Sequence, residues 1–168
     1  MDRAELEREI EQLHGSSFGW ALSCCGRNRD DAEEVLQDVY VKILDGKARF
    51  DGRSSLKTWL FAVIRRTAAG QARRRFVREV LTAKWARNDE APITPEAAAQ
   101  DSQRSTTLLA AVQRLAKRQR EVLELVFYHD LTIEEAAEAM QVSIGSARVH
   151  YHRGKKQLLL QLNGRLSP

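Results

Sequence analysis

Only two cysteines occur in this 168-residue chain, and they are neighbours, Cys24 and Cys25. A bridge between adjacent residues is strained, so no disulfide framework is implied and a reducing cytoplasm is the expected location. Long apolar runs are also missing: no stretch of about 18 hydrophobic residues exists to span a membrane. The opening Met1-Asp2-Arg3-Ala4-Glu5 is charged and lacks the apolar core of a signal peptide. Prolines number three, and two of them, Pro92 and Pro95, fall in one short stretch. No nucleophile–base pair, metal-ligand cluster or glycine-rich phosphate loop is present, so the expectation is a protein that is not an enzyme and carries no cofactor or metal. His14 stands far from the cysteine pair, and His150 and His152 have no cysteine or carboxylate at zinc-ligand spacing.

What is present is unevenly charged. The net charge is +4, but residues 1–50 hold 7 basic and 11 acidic side chains, whereas residues 51–87 hold 10 basic and 2 acidic. Residues 88–168 balance at 10 of each, yet Arg148, Arg153, Lys155, Lys156 and Arg165 sit in a segment, 143–165, without any acid. Two separate basic stretches point to two contacts with a polyanion, against the plainer alternative of solvated helix faces.

Helical periodicity runs through the chain and strand alternation is absent, so the expected class is all-α. Residues 2–26 read as one helix striped by Leu6, Ile10, Leu13, Trp20, Ala21 and Cys24, with a soft spot at Gly15-Ser16-Ser17 and Gly26 as C-cap. A second helix is expected to start at Asp30, with Glu33 completing a capping box. It buries Val35, Leu36, Val39, Tyr40, Ile43 and Leu44 and turns Glu34, Gln37, Asp38 and Val41 outward. After a polar loop, Lys47 to Ser55, a third helix buries Leu56, Trp59, Leu60, Val63, Ile64 and Thr67 and runs on into Arg73, Arg74, Arg75 and Arg78. The proline-bearing stretch 88–104 reads as a flexible linker. The expected organisation is therefore two small helical domains, 1–87 and 105–168.

In the second domain four short helices are predicted, with apolar positions Leu108, Leu109, Val112 and Leu115 in the first and Val122, Leu123, Val126 and Phe127 in the second. Residues 131–158 have the spacing of a helix-turn-helix. Thr132 and Glu135 make a capping box, Ala136 and Ala137 allow a close crossing, Val142 fills the turn and Ser143 restarts the helix. Ile144, Ala147, Tyr151 and Leu158 are expected inward. Ser143, Ser146, Arg148, Val149, His152, Arg153 and Lys156 are then left at or near the outer face, where cations and a helix N-terminus suit a DNA groove.

The N-terminal half narrows the choice among helix-turn-helix proteins. Asp31-Ala-Glu-Glu-Val-Leu-Gln-Asp-Val-Tyr40, then Ser55-Leu-Lys-Thr-Trp-Leu-Phe61 and an arginine run, resembles region 2 of the extracytoplasmic-function (ECF) sigma factors of the sigma-70 family. Residues 108–160, including Gln119-Arg120-Glu121-Val122-Leu123, resemble region 4. The resemblance implies a transcription initiation factor that binds core RNA polymerase through the beta-prime clamp helices and the beta flap, and binds promoter DNA. It carries the family expectation of an anti-sigma partner, for which no residue here speaks.

The resemblance also implies residue roles. Glu34, Gln37, Asp38 and Val41 would dock on polymerase. Phe50, Arg53, Ser54, Lys57, Arg65, Arg66, Arg73, Arg74 and Arg75 would hold and open the −10 element, and the helix-turn-helix would read the −35 element. Trp59 reads as core before it reads as a stacking residue. In the linker, Asp89, Glu90, Glu96 and Asp101 would mimic nucleic acid in the polymerase channel. The chain departs from the family pattern at Arg66 and Gly70, where Asn and Asp are usual, at Ala116, usually proline, and at Gly145-Ser146-Ala147-Arg148, usually Gly-Thr-Val-Lys. The competing reading is a stand-alone helix-turn-helix regulator, which would bind a palindromic operator without polymerase.

Overall fold

The computed structural model describes residues 2–83 and 103–164, and among them forms eight helices and no strand. The linker expected at 88–104, with its acidic positions, falls outside the described residues except for its last two. The helices are α1 Arg3–Gln12, α2 His14–Cys24, α3 Arg29–Leu44, α4 Leu56–Ala83, α5 Gln103–Gln113, α6 Lys117–Phe127, α7 Ile133–Met140 and α8 Ile144–Asn163.

The first expected helix is in fact two. The chain breaks at Leu13, just before the Gly15-Ser16-Ser17 soft spot, where the Ser16 hydroxyl donates to the Leu13 carbonyl at 2.9 Å. Helix α1 buries nothing fully, while α2 buries Ser17, Trp20 and Ala21. Gly26 does take a left-handed conformation, φ 60°, as does Arg27 after it. The cap of α3 also differs from expectation: Asn28, not Asp30, accepts from the Asp31 amide at 3.0 Å. An Asn side chain does this as well as an Asp, and starting earlier leaves Asp30 and Asp31 in the first turn, where the helix dipole favours them.

Helix α3 buries Val35, Leu36, Val39 and Ile43 against α2 and α4; Tyr40 is half-buried and Leu44 is exposed. Helix α4 starts on the Ser55 hydroxyl, which accepts from the Thr58 amide at 3.1 Å. Its first three turns carry the predicted stripe of Leu56, Leu60, Val63, Ile64 and Thr67, with Trp59, expected in it, only half-buried, and residues 72–83 have an exposed surface. Trp20 is the hub of this unit. It is fully buried, stacks on Phe61 with ring centres 5.8 Å apart, and donates its indole N–H to the Phe61 carbonyl at 3.0 Å. The hydrogen bond removes the penalty an orphaned indole donor would carry, so the large apolar area of the ring is a net gain.

The two helical units share one core. The buried cluster runs without interruption from Trp20, Phe61 and Ile64 to Val122, Leu125, Leu131, Ala136, Ala139 and Met140. Helix α7 lies directly on α4, and α6, α7 and α8 close the second unit around Ala147.

Around α5 and α6 the expected faces hold in part. Leu115, Val122 and Leu123 are buried as expected and Val112 and Val126 half-buried, but Leu108, Leu109 and Phe127 are exposed, and Ala111, Glu121 and Leu125 are buried instead. Helix α8 crosses both helices, and Phe127 meets it at the rim, stacking on Tyr151 with ring centres 6.0 Å apart.

Candidate nucleic-acid interface

The helix-turn-helix forms as the spacing predicts. Thr132 accepts from the Glu135 amide at 3.1 Å, and Glu135 accepts from the Thr132 amide at 2.9 Å, closing the capping box. The turn is made by Gln141 in the left-handed region (φ 55°), and the Val142 amide bonds back to the Ala137 carbonyl at 3.0 Å. Ser143 then caps α8, accepting from the Ser146 amide at 3.1 Å. Ala136, Ala137 and Ala147 are buried where the two helices cross.

A second close approach is absent from the expected inward set. Gly154 is buried against α6, where an added Cβ would lie 3.0 Å from Leu123 Cδ1 and 3.2 Å from Gln119 Cβ. It stands seven residues after Ala147, two turns along the same face, which is the signal that could have found it. Ile144, expected inward, is 44% exposed. At the first helical position it precedes the crossing and faces solvent beside the cap.

The outer surface of α8 presents Ser143, Ser146, Arg148, Val149, His152, Arg153 and Lys156, all exposed. They form one face at the N-terminal and middle turns. Arg148 is held by Glu134 of α7 at 2.9 Å, an exposed pair that exchanges readily for a stronger ligand. The backbone amide of Glu134, at the α7 N-terminus, and the Arg148 guanidinium together pull the Glu134 carboxyl below its usual range.

The nine residues expected at the −10 element separate into four groups. Phe50 packs on the half-buried Trp59, rings 5.4 Å apart, and Trp59 lines a cleft of about 340 Å³. Arg66 and Arg74 line that cleft, joined by Lys42, Lys47 and Arg49, three cations missing from the expected set. Gly70 leaves it open, with nothing within 4 Å of an added Cβ. Arg53, Ser54 and Arg73 stand outside the cleft, Arg53 paired with Asp51 at 3.2 Å.

Lys57 and Arg65 are turned into the junction with the second helical unit: Lys57 donates to the His129 carbonyl at 2.6 Å, and Arg65 grips Glu121 through two bonds of 3.1 and 3.2 Å. Arg75 leaves the DNA track altogether. It holds Asp31 on α3 through two bonds of 2.6 and 2.8 Å, which raises the guanidinium's already high pKa further.

The expected polymerase-docking face is a groove between α3 and the far half of α4. Glu34, Gln37, Asp38 and Val41 form one wall, and Gln71, Arg74, Arg75 and Arg78 the other, around about 510 Å³. Glu34, Gln37 and Val41 are exposed, Val41 by 53%. Asp38 is half-buried and fixed by Lys42 at 2.9 Å and Gln71 at 3.3 Å. Burial opposes its ionisation, but the Lys42 and Gln71 hydrogen bonds and the charges of Lys42 and Arg74 win and hold its carboxyl below the usual range.

Among the described residues no group of three or more His, Cys, Asp or Glu converges to hold a metal, and no helix is long and apolar enough to cross a membrane. Burial, and then the neighbouring Glu121 carboxylate, pushes the Cys24 thiol well up; burial and Asp31 push Cys25 to about 11.

Comparison with known proteins places these surfaces in a family. Residues 10–76 match the model of sigma-70 region 2, and residues 105–158 match that of sigma-70 region 4. The ECF RNA polymerase sigma factor SigX of Bacillus subtilis is 30% identical over 137 residues, covering 79% of this chain and 71% of SigX. The RNA polymerase sigma factor YlaC of the same organism is 30% identical over 156 residues, covering 89% of each chain. The solved sigma factor RpoE from Bartonella quintana, in complex with the anti-sigma factor NepR, superposes with a TM-score of 0.72 at 26% identity, covering 95% of this chain and 97% of that one. An outward-facing basic helix-turn-helix, an acidic-amide groove on α3 and an aromatic-cationic cleft beside it thus occur in the order of two matched family regions, and the chain belongs to the ECF RNA polymerase sigma factors of the sigma-70 family.

Proposed function

We propose that this sigma factor docks on core polymerase through the α3 groove, reads a −35 element with the outer face of α8, and opens the −10 region at the Trp59 cleft. The observation that carries this reading is the separation of three surfaces by chemistry. Glu34, Gln37 and Val41 offer carboxylate, amide and apolar contacts together, suited to a basic protein partner such as the beta-prime clamp helices. The acid-free α8 face, with a capped N-terminus, suits phosphates and guanine edges. At the cleft Phe50 and Trp59 provide ring faces for an unstacked base, while Arg49, Arg66 and Arg74 supply charge for its backbone. Arg66 and Gly70, in place of the usual Asn and Asp, make this cleft more cationic and roomier.

The second helical unit would also meet the beta flap, the segment 88–104 would tether the two, and the site of action would be the cytoplasm. An anti-sigma partner is supported by the solved Bartonella relative, which is bound to one. The factor acts by binding and positioning, with no reaction of its own. Run-off transcription with purified core polymerase on a promoter library tests the reading. Glu34→Ala/Gln37→Ala/Val41→Ala should abolish co-elution with core while leaving α8 intact. A chain that never binds core, yet protects a palindromic operator alone, would overturn it in favour of a stand-alone regulator.

A further inference from the structure

Residues 143–165 hold no acid, yet one cation of α8 carries a carboxylate. Among the described residues Arg148 is the α8 side chain in an ion pair, and its partner, Glu134, stands 14 residues back on α7. The first turn of α7 has two acids with divided duties. Glu135 closes the capping box on Thr132. Glu134 takes no part in that box, and its carboxylate accepts from Arg148 Nη2 at 2.9 Å. An acid is favoured near any helix N-terminus, but that preference does not account for the reach across to the outer face of α8. Nor does stability: the side chains are 58% and 52% exposed, and a pair so open to water contributes little. What the pair supplies is direction.

Both partners are fixed from below. Ala136, Ala137 and Ala147 are buried where α7 and α8 cross, and the left-handed Gln141 turn sets one helix against the other. Glu134 is held by its own backbone amide and by Arg148, which together lower its carboxyl below the usual range. The bond to Glu134 uses one N–H of Arg148, and an edge of the planar fork with paired N–H donors remains for a second ligand. The O6 and N7 acceptors of guanine match that edge and bring no net charge. A phosphate that takes the same edge brings a second anion up to the Glu134 carboxylate, which opposes it. A lysine, with a compact charge and no planar fork, could not serve both ligands in this way.

We propose that Glu134 is a positioning residue for promoter recognition: acting through Arg148, it directs the guanidinium to a guanine of the −35 element and away from the DNA backbone. The inference rests on the reading of α8 as the −35 contact. Glu134 lowers general affinity for DNA and raises discrimination between bases.

The test is a binding selection from duplexes randomised across the −35 element, with a fixed −10 element and the full chain in complex with core polymerase. We expect the parent to prefer guanine at one position by about ten-fold, the scale of one bidentate contact. Arg148→Ala and Arg148→Lys should both erase that preference. Glu134→Ala should cut it to less than about three-fold while leaving the other positions as they were. Its log–log salt slope should steepen by about 0.9, because the freed Arg148 gains a phosphate. Glu134→Gln retains an acceptor for Arg148 and should keep more of the guanine preference than Glu134→Ala. These readouts separate positioning from support of the fold, since a destabilised α7 would weaken every position together.

An undiminished guanine preference in Glu134→Ala overturns the inference, as does a loss spread evenly over all positions or a parent selectivity that Arg148→Ala leaves intact. A parent that forms no complex with core, or selects no −35 sequence, overturns the reading of α8 and this inference with it.

Discussion

Gly154 and Gly70 both sit in helix interiors, and replacing each with alanine separates two effects that usually travel together. Alanine in place of glycine stabilises an exposed helix interior by about 1 kcal/mol, through lost freedom of the unfolded chain and better backbone shielding. At Gly70 nothing lies within 4 Å of the new Cβ, so the whole of that gain should appear. At Gly154 the new Cβ meets Leu123 Cδ1 at 3.0 Å, Gln119 Cβ at 3.2 Å and the Gln119 carbonyl oxygen at 3.4 Å. The Leu123 methyl can rotate away, but the two Gln119 atoms belong to or adjoin the α6 backbone. Forcing α6 and α8 apart costs about 1–3 kcal/mol in a packed interior.

Gly70→Ala should therefore raise the melting temperature by roughly 2–4 °C for a chain of this size, whereas Gly154→Ala should be neutral or lower it, up to a net loss of about 2 kcal/mol. Urea unfolding followed by circular dichroism gives the same comparison through its midpoint, provided the slope is unchanged. Stabilisation of Gly154→Ala to the level of Gly70→Ala would refute the close crossing of α6 and α8.

Three further outcomes are expected. If α8 lies on the DNA backbone, Arg153→Ala and Lys156→Ala should each weaken holoenzyme binding to all promoters alike and reduce the log–log salt slope by about 0.9; unchanged slopes would remove those residues from the interface. Asp38 has a folded-state pKa below its unfolded one, so its carboxylate stabilises the fold above the unfolded value and that contribution is lost as pH falls through the folded value. Asp38→Asn should thus flatten the acid side of the stability profile, below about pH 4, and a profile identical to the parent's would contradict the Lys42–Asp38–Gln71 network. With its thiol near 11, Cys25 should react sluggishly with iodoacetamide at pH 8 and quicken steeply above pH 10, measured in Cys24→Ser; fast labelling at pH 8 would contradict the shielding of the thiol by burial.

The elements that sequence periodicity and capping chemistry control were legible in advance. The Thr132–Glu135 box, the Ser143 cap and most of the buried stripes of α3 and α4 form as their spacing requires, Leu44 being exposed and Tyr40 and Trp59 half-buried. Expectation and structure part where more than one residue can fill the same place. Asn28 caps α3 ahead of Asp30 because either side chain serves, and only the chain's path chooses between them. Phe127, Leu108 and Leu109 follow apolar spacing yet are exposed, Phe127 lying against Tyr151 of α8 at the rim.

The candidate site was half legible. The α3 face and the α8 face follow from one helix each. The fate of the arginines does not: Arg65 finds Glu121 and Arg75 finds Asp31 across 56 and 44 residues, and no local pattern encodes such a pairing. A run of arginines read as one DNA track is divided by the fold between a cleft, a seam and a brace.

Helix α7 shows what the shared core demands of evolution. It is eight residues long, and its buried positions are Ala136, Ala137, Ala139 and Met140. One side of it seats the recognition helix and another rests on α4. An alanine here answers to two neighbours at once, so a bulkier side chain that retunes one contact also shifts the other. Drift in how this factor holds its DNA-reading helix is therefore tied to drift in how tightly its halves meet, and the two traits should be inherited as one.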